Sequence, residues 1–250
     1  LCEPMQVHTL AADDRRHAGG QVLAYFDEMH ASLLADGTAE TRHRGGTVPD
    51  NPFGGLGDDG VRVRDIDHGR IRFDKTLSPD FLLMIKHNAA YAAVLPELQD
   101  AVAVYGLVRN PMAMLASWNT ISIPISQGRL PVAERIDGAL REALDLAPDL
   151  IGRQLVVMDW FFARYRDHLP PERILRYEQI TATHGRCLLD ALGLDADAAM
   201  PLQERNANRL YANVDVDTLC RRLLACEGTW WQFYSRDEVE KVHERLARAR

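Results

Sequence analysis

Apolar and polar positions follow two rhythms along this chain. Phe81–Ile85 (FLLMI) is an almost unbroken apolar run of the kind buried on both faces of a parallel sheet. Val102–Val108 reads as a second buried strand, and Arg173–Tyr177 as a shorter third. Between and around them the spacing turns helical: Gln21–Ala35, Asn88–Leu98, the apolar segment after Pro111, Val132–Leu146, Asp149–Tyr165, the stretch from Thr181 or Thr183 to Leu192, and Thr218–Ala225. Ser235-Arg236-Asp237-Glu238 has the form of a capping box and opens a last helix. Val61–Phe73 alternates apolar residues with charges and predicts a hairpin around His68-Gly69 or an exposed ribbon. Asp36–Asp59, rich in Gly, Thr, Asp and Pro, reads as a long loop, so 36–73 forms a loop or insert region. Helices alternating with short apolar strands predict an α/β fold, a central and mostly parallel sheet flanked by helices. In such sheets ligands bind beyond the carboxyl ends of the strands. Lys86-His87, Arg109 and Tyr177 all fall at such ends.

The junction after the second strand is the most informative. Val108 is followed by Arg109, then by Asn110, a favoured N-cap, and Pro111, preorganised for the first helical position. The start of a helix carries positive partial charge, so an arginine placed there is electrostatically awkward unless an anion docks on both. Ser117 lies seven residues beyond Asn110, which returns it to nearly the same face about 10 Å along the axis. A guanidinium and a hydroxyl so placed suit a single phosphate.

Composition limits the alternatives. A chain of 250 residues with 46% hydrophobic content supports one large core or two small ones. A net charge of -7 disfavours nucleic acid or a membrane surface as partner. The sequence holds no apolar run long enough to span a bilayer. Cys2, Cys187, Cys220 and Cys226 have no metal-type spacing and are expected as reduced thiols of a cytoplasmic protein. The histidines show no metal-ligand spacing either, so no metal is expected.

Arg109-Asn110-Pro111 with Ser117 resembles the 3′-phosphate-binding motif of sulfotransferases that use 3′-phosphoadenosine-5′-phosphosulfate (PAPS). Arg173-Ile174-Leu175-Arg176-Tyr177-Glu178 is similar to that family's late strand ending in Arg-Tyr-Glu, and Cys2-Glu3-Pro4 to the Glu-Pro step of its carbohydrate-type members. The likeness spans about Leu1 to Ile180, with a weaker echo near Gly228–Trp231. It implies a nucleotide-kinase-like P-loop architecture in a single domain over 1–250. The family's Gly-rich 5′-phosphosulfate loop has no counterpart here. Arg44-Gly45-Gly46-Thr47 and Phe53-Gly54-Gly55-Leu56-Gly57 are read as following no strand and opening no helix, so the family's first strand, loop and helix are expected either to precede Leu1 or to be lost.

The resemblance implies an enzyme moving a sulfuryl group from PAPS to a hydroxyl of a carbohydrate or small metabolite, without a metal. Arg109 and Ser117 would hold the 3′-phosphate, Tyr177 would pack near the adenine, and Gly228 and Thr229 would approach the nucleotide. Sulfuryl transfer needs a cation near the moving group, for which Lys86 is the candidate, and a general base near the acceptor. Glu3 and His87 both remain candidates for the base. His87 adjoins Lys86, so a regular strand would point the two to opposite faces. Two other readings stay open: a P-loop kinase-like phosphotransferase, although no strand here ends in the Asp that would hold Mg²⁺, and a non-catalytic nucleotide-binding module. Oligomeric state is not readable.

Overall fold

The structure is a computed structural model that describes residues 1, 5–49, 51–57, 60–195, 201–206 and 209–248. In chain order its regular elements are helix α1 (Arg15–Asp36), strands β1 (Thr38–His43), β2 (Phe53–Leu56), β3 (Arg62–Arg64) and β4 (Asp67–Arg72), helices α2 (Asn88–Ala93) and α3 (Leu95–Leu98), strand β5 (Gly106–Val108), helices α4 (Pro111–Trp118), α5 (Pro131–Ile136), α6 (Gly138–Leu146) and α7 (Leu150–His168), strand β6 (Ile174–Arg176), and helices α8 (Tyr177–Ala182), α9 (Arg186–Ala191), α10 (Val216–Leu224) and α11 (Arg236–Arg248). The class is α/β. The chain divides into two compact units, Leu1–Ala103 with Leu130–Glu142, and Val104–Arg129 with Ala143–Arg250.

In the first unit, α1 lies against β1 and α3. Asp14 caps its start by accepting from the His17 N–H at 2.9 Å, and Gly37 ends it in the left-handed region. The segment read as a long loop contains β1 and β2. β1 pairs antiparallel with β4 and β2 with β3, so His68 and Gly69 sit inside a strand and not at a turn. The local composition hides β1 because its pairing with β4 joins residues 24 or more apart: Thr38 faces Arg72 and His43 faces Asp67. Arg44-Gly45-Gly46-Thr47 is a tight turn, closed by bonds between Arg44 and Thr47, with both glycines at positive φ. Phe53-Gly54-Gly55-Leu56 is β2 itself.

Phe81–Ile85 runs extended without forming a regular strand. Phe81, Leu83 and Ile85 pack on the buried cluster of Tyr25, Met29, Leu33 and Ala39, while Leu82 and Met84 face outward, 58% and 47% exposed. One face is buried where the unbroken apolar run predicts two. The predicted helix at Val132–Leu146 is broken at Asp137, which ends α5 and starts α6 by accepting from Leu140 N at 3.1 Å.

In the second unit, β5 and β6 pair in parallel, Gly106 with Ile174, Leu107 with Leu175 and Val108 with Arg176. This is the one parallel pair among the described residues, where the sheets are three and each has two strands. A central sheet of several parallel strands is therefore not formed there. β5 is three residues long, not seven, because β6 offers only three partners between a 3₁₀ turn at Pro171–Arg173 and α8. The core is helical: α4 packs on α10 and α11, and α7 on the turn that carries Trp230. Asp149 caps α7 through Gly152 N at 2.7 Å. Ser235 and Glu238 form the reciprocal capping box, Ser235 Oγ accepting from Glu238 N at 3.2 Å and Glu238 Oε2 accepting from Ser235 N at 2.8 Å. Cys187, Cys220 and Cys226 are free thiols. No helix among the described residues is long and apolar enough to cross a membrane.

Candidate functional site

The carboxyl ends of β5 and β6 lie side by side in the second unit, and the strongest candidates sit there. Asn110 starts α4 with its side-chain oxygen accepting from Met112 N at 3.0 Å. Its amide nitrogen donates to the Glu238 carbonyl at 3.1 Å, which ties the first turn of α4 to α11. Arg109, half-buried, immediately precedes this cap. Its Nε donates to Asn206 Oδ1 at 2.7 Å and one Nη to the Arg205 carbonyl at 2.8 Å, and its guanidinium lies over the Tyr177 ring, 4.9 Å from the centroid. Arg109 and Tyr177 are therefore in contact.

The partners of Arg109 are an amide, a backbone carbonyl and an aromatic face. Among the described residues it has no carboxylate partner. Its other Nη makes no protein hydrogen bond there. Neutral acceptors and an aromatic face thus surround the charge of this half-buried guanidinium.

Glu178 organises the surroundings. Its Oε1 accepts from Asn110 N at 3.0 Å and from Asn206 Nδ2 at 2.7 Å, and its Oε2 accepts from the Tyr234 hydroxyl at 2.7 Å. Burial and the nearby Glu178 charge raise the Tyr234 phenol far above its ordinary range, so it remains a donor. Beside it Arg176 lies over the Tyr234 ring at 4.2 Å and bonds to Glu238. Burial alone would push the Glu238 carboxyl up, but its bonds to Arg176 and Ser235 leave it below the usual carboxylate value.

Ser117 sits in the last turn of α4, partly exposed. Its hydroxyl makes no hydrogen bond to the described residues. It does not touch Arg109, whose bonds go to 205–206. The end of α4 is fixed by Gln154, which is fully buried. Gln154 Oε1 accepts from Asn119 Nδ2 at 3.1 Å and its Nε2 donates to the Ser126 carbonyl at 2.9 Å.

The other candidates sit as follows. Gly228 has an extended backbone, and a Cβ there would stand 2.3 Å from the Trp230 ring, so close packing and not a helix end requires glycine. Thr229 is buried and its N–H donates to Asp159 Oδ1 at 2.6 Å. In the first unit Lys86 is exposed, and its backbone N–H donates to the Leu1 carbonyl at 2.9 Å. His87 caps α2, its Nδ1 accepting from Ala90 N at 3.2 Å. An accepting Nδ1 carries no proton, so the neutral ring holds its proton on Nε2. Glu3 lies outside the described residues.

Sequence reasoning missed Asn206, Glu178 as hub, and Gln154. Glu178 had a signal, its place two residues after the strand-end Arg176. Asn206 had none, since its partner Arg109 is 97 residues away. No family model, curated protein or solved structure matches the chain.

Proposed function

We propose that the chain is a metal-independent, cytoplasmic enzyme of the PAPS-dependent sulfotransferase type, acting on a hydroxyl of a carbohydrate or small metabolite. One observation carries the reading. At the carboxyl end of a parallel strand, beside a capped helix start, Arg109 is held among the described residues by neutral groups and an aromatic face. That is the equipment for an anionic group on a nucleotide, with Tyr177 alongside for the base and Ser117 further along α4. The same reading takes the parallel β5–β6 pair as the nucleotide-kinase-like feature of the fold.

The reaction needs few groups. The acceptor oxygen attacks sulfur, the bond from sulfur to the phosphate oxygen breaks, and 3′-phosphoadenosine-5′-phosphate leaves. The acceptor proton goes to a base, for which Glu3 and His87 are the candidates, and Lys86 is assigned the charge of the moving group. With Nδ1 committed to capping α2 and the ring proton on Nε2, His87 can take the acceptor proton only when the bond from Ala90 N opens and frees Nδ1.

Titration of the full chain with 3′-phosphoadenosine-5′-phosphate and with ATP tests the assignment. The first is expected to bind more tightly, and Arg109→Ala to weaken it by about 2–4 kcal/mol, as for loss of a charge-assisted contact. Equal affinity before and after the substitution refutes the role of Arg109. Preference for ATP, with a transferase activity that EDTA abolishes, replaces the reading with a phosphotransferase.

A further inference from the structure

Asn206 is fully buried, although residues 201–205 just before it are exposed. Burying an amide costs free energy unless its polar atoms are bonded, and here they are. Oδ1 accepts from Arg109 Nε at 2.7 Å, Nδ2 donates to Glu178 Oε1 at 2.7 Å, and the backbone N–H donates to Glu204 Oε1 at 3.2 Å. The amide thus stands between a guanidinium and a carboxylate, two groups that attract each other strongly.

The consequence is electrostatic. A direct ion pair with Glu178 would neutralise Arg109 and turn its donors inward. With Asn206 inserted, Glu178 is satisfied by neutral donors, the Asn110 N–H, the Asn206 amide and the Tyr234 hydroxyl. Arg109 is satisfied by neutral acceptors and keeps its charge.

We infer that Asn206 is the positioning residue of this site. It keeps Arg109 out of an ion pair with Glu178 and fixes the guanidinium for the phosphate on the nucleotide ribose. The inference rests on the proposed nucleotide-binding function and adds to it a residue that sets selectivity for the 3′-phosphate.

The test compares 3′-phosphoadenosine-5′-phosphate with 5′-AMP, which lacks the 3′-phosphate, by calorimetric titration of the full chain. The wild type is expected to prefer the former by at least about tenfold, the value of one charge-assisted contact. Asn206→Leu removes the insulating amide. It is expected to lose most of that preference while 5′-AMP affinity stays within about twofold.

Asn206→Asp adds a readout that a merely structural role would not move. The introduced carboxylate meets Glu178 at hydrogen-bond distance, so the two share a proton only at lower pH. Its preference is expected to be lost near pH 8 and to recover toward pH 5.5, relative to the wild type at each pH, which cancels the ligand phosphate's own ionisation near pH 6. This second variant carries the test if Asn206→Leu does not fold. A wild type without preference for the 3′-phosphate overturns the functional reading and this inference with it. A preferring wild type overturns the inference alone if the folded leucine variant keeps the preference, or if the aspartate variant's relative preference is flat with pH.

Discussion

The bond between Tyr234 and Glu178 allows the hub to be measured without touching its packing. Tyr234→Phe removes one hydroxyl and keeps the ring that lies under Arg176. The bond is 2.7 Å long and ends on a carboxylate, and Tyr234 is 2% exposed. Hydrogen bonds to charged groups contribute about 1.5–3 kcal/mol, and with Glu178 only half-buried we expect about 2 kcal/mol lost. Glu178→Gln keeps an oxygen for Asn110 N and Asn206 Nδ2 but turns an NH₂ toward the phenol, which then has to accept. Its expected cost is about 1–2 kcal/mol. In the double variant the interaction is already gone, so the two losses overlap by about 1 kcal/mol or more. Urea unfolding followed by tryptophan fluorescence is the assay. The four tryptophans, Trp118, Trp160, Trp230 and Trp231, all belong to the second unit, so the signal reports the unit under test. Losses that add to within about 0.5 kcal/mol would show that the two groups do not act on each other, and the account of Glu178 as a hub fails.

Two neighbouring glycines in α1 should respond oppositely to alanine. Gly20 has no atom within 4 Å of an added Cβ, so Gly20→Ala should stabilise by about 0.5–1 kcal/mol through helix propensity. At Gly19 the added Cβ would stand 2.5 Å from Glu97 Cβ, and Gly19→Ala should destabilise by about 1–3 kcal/mol; melting followed by far-ultraviolet circular dichroism checks the order, and the reverse order refutes it. Acid should weaken the second unit through Glu238. With its native carboxyl below the ordinary value of 4.5, it stabilises above that value and loses the contribution as pH falls through the native one. Glu238→Gln should flatten the fall in urea midpoint between about pH 5 and 3, and an unchanged slope would remove Glu238 from the account.

Features that a few neighbouring residues decide were legible in the sequence. Asn110-Pro111, Asp149 and Ser235-Glu238 start helices because a cap needs only a side chain and an N–H two or three residues on. Strands depend on distant partners, and there the reading was partial: β5 and β6 fall inside expected strands, whereas β1 and β2 were read as loop. Thr38–His43 looks like loop until Asp67–Arg72 is laid beside it. Phe81–Ile85 looks two-sided until packing buries only alternate residues. The site divides the same way. Arg109 was visible from its junction, but its acceptors at 205–206 are 96 and 97 residues away and leave no local trace.

The Asn110 amide bonded to the Glu238 carbonyl has a consequence for how the chain matures. The cap of α4 belongs to a residue made 128 positions before its last partner. During synthesis α4 can coil early, but its first turn stays incompletely bonded until α11 emerges and docks. The junction at Arg109 is therefore among the last parts of this unit to be finished, and a nascent chain halted ahead of residue 238 carries the Arg109-Asn110-Pro111 segment without the anchor.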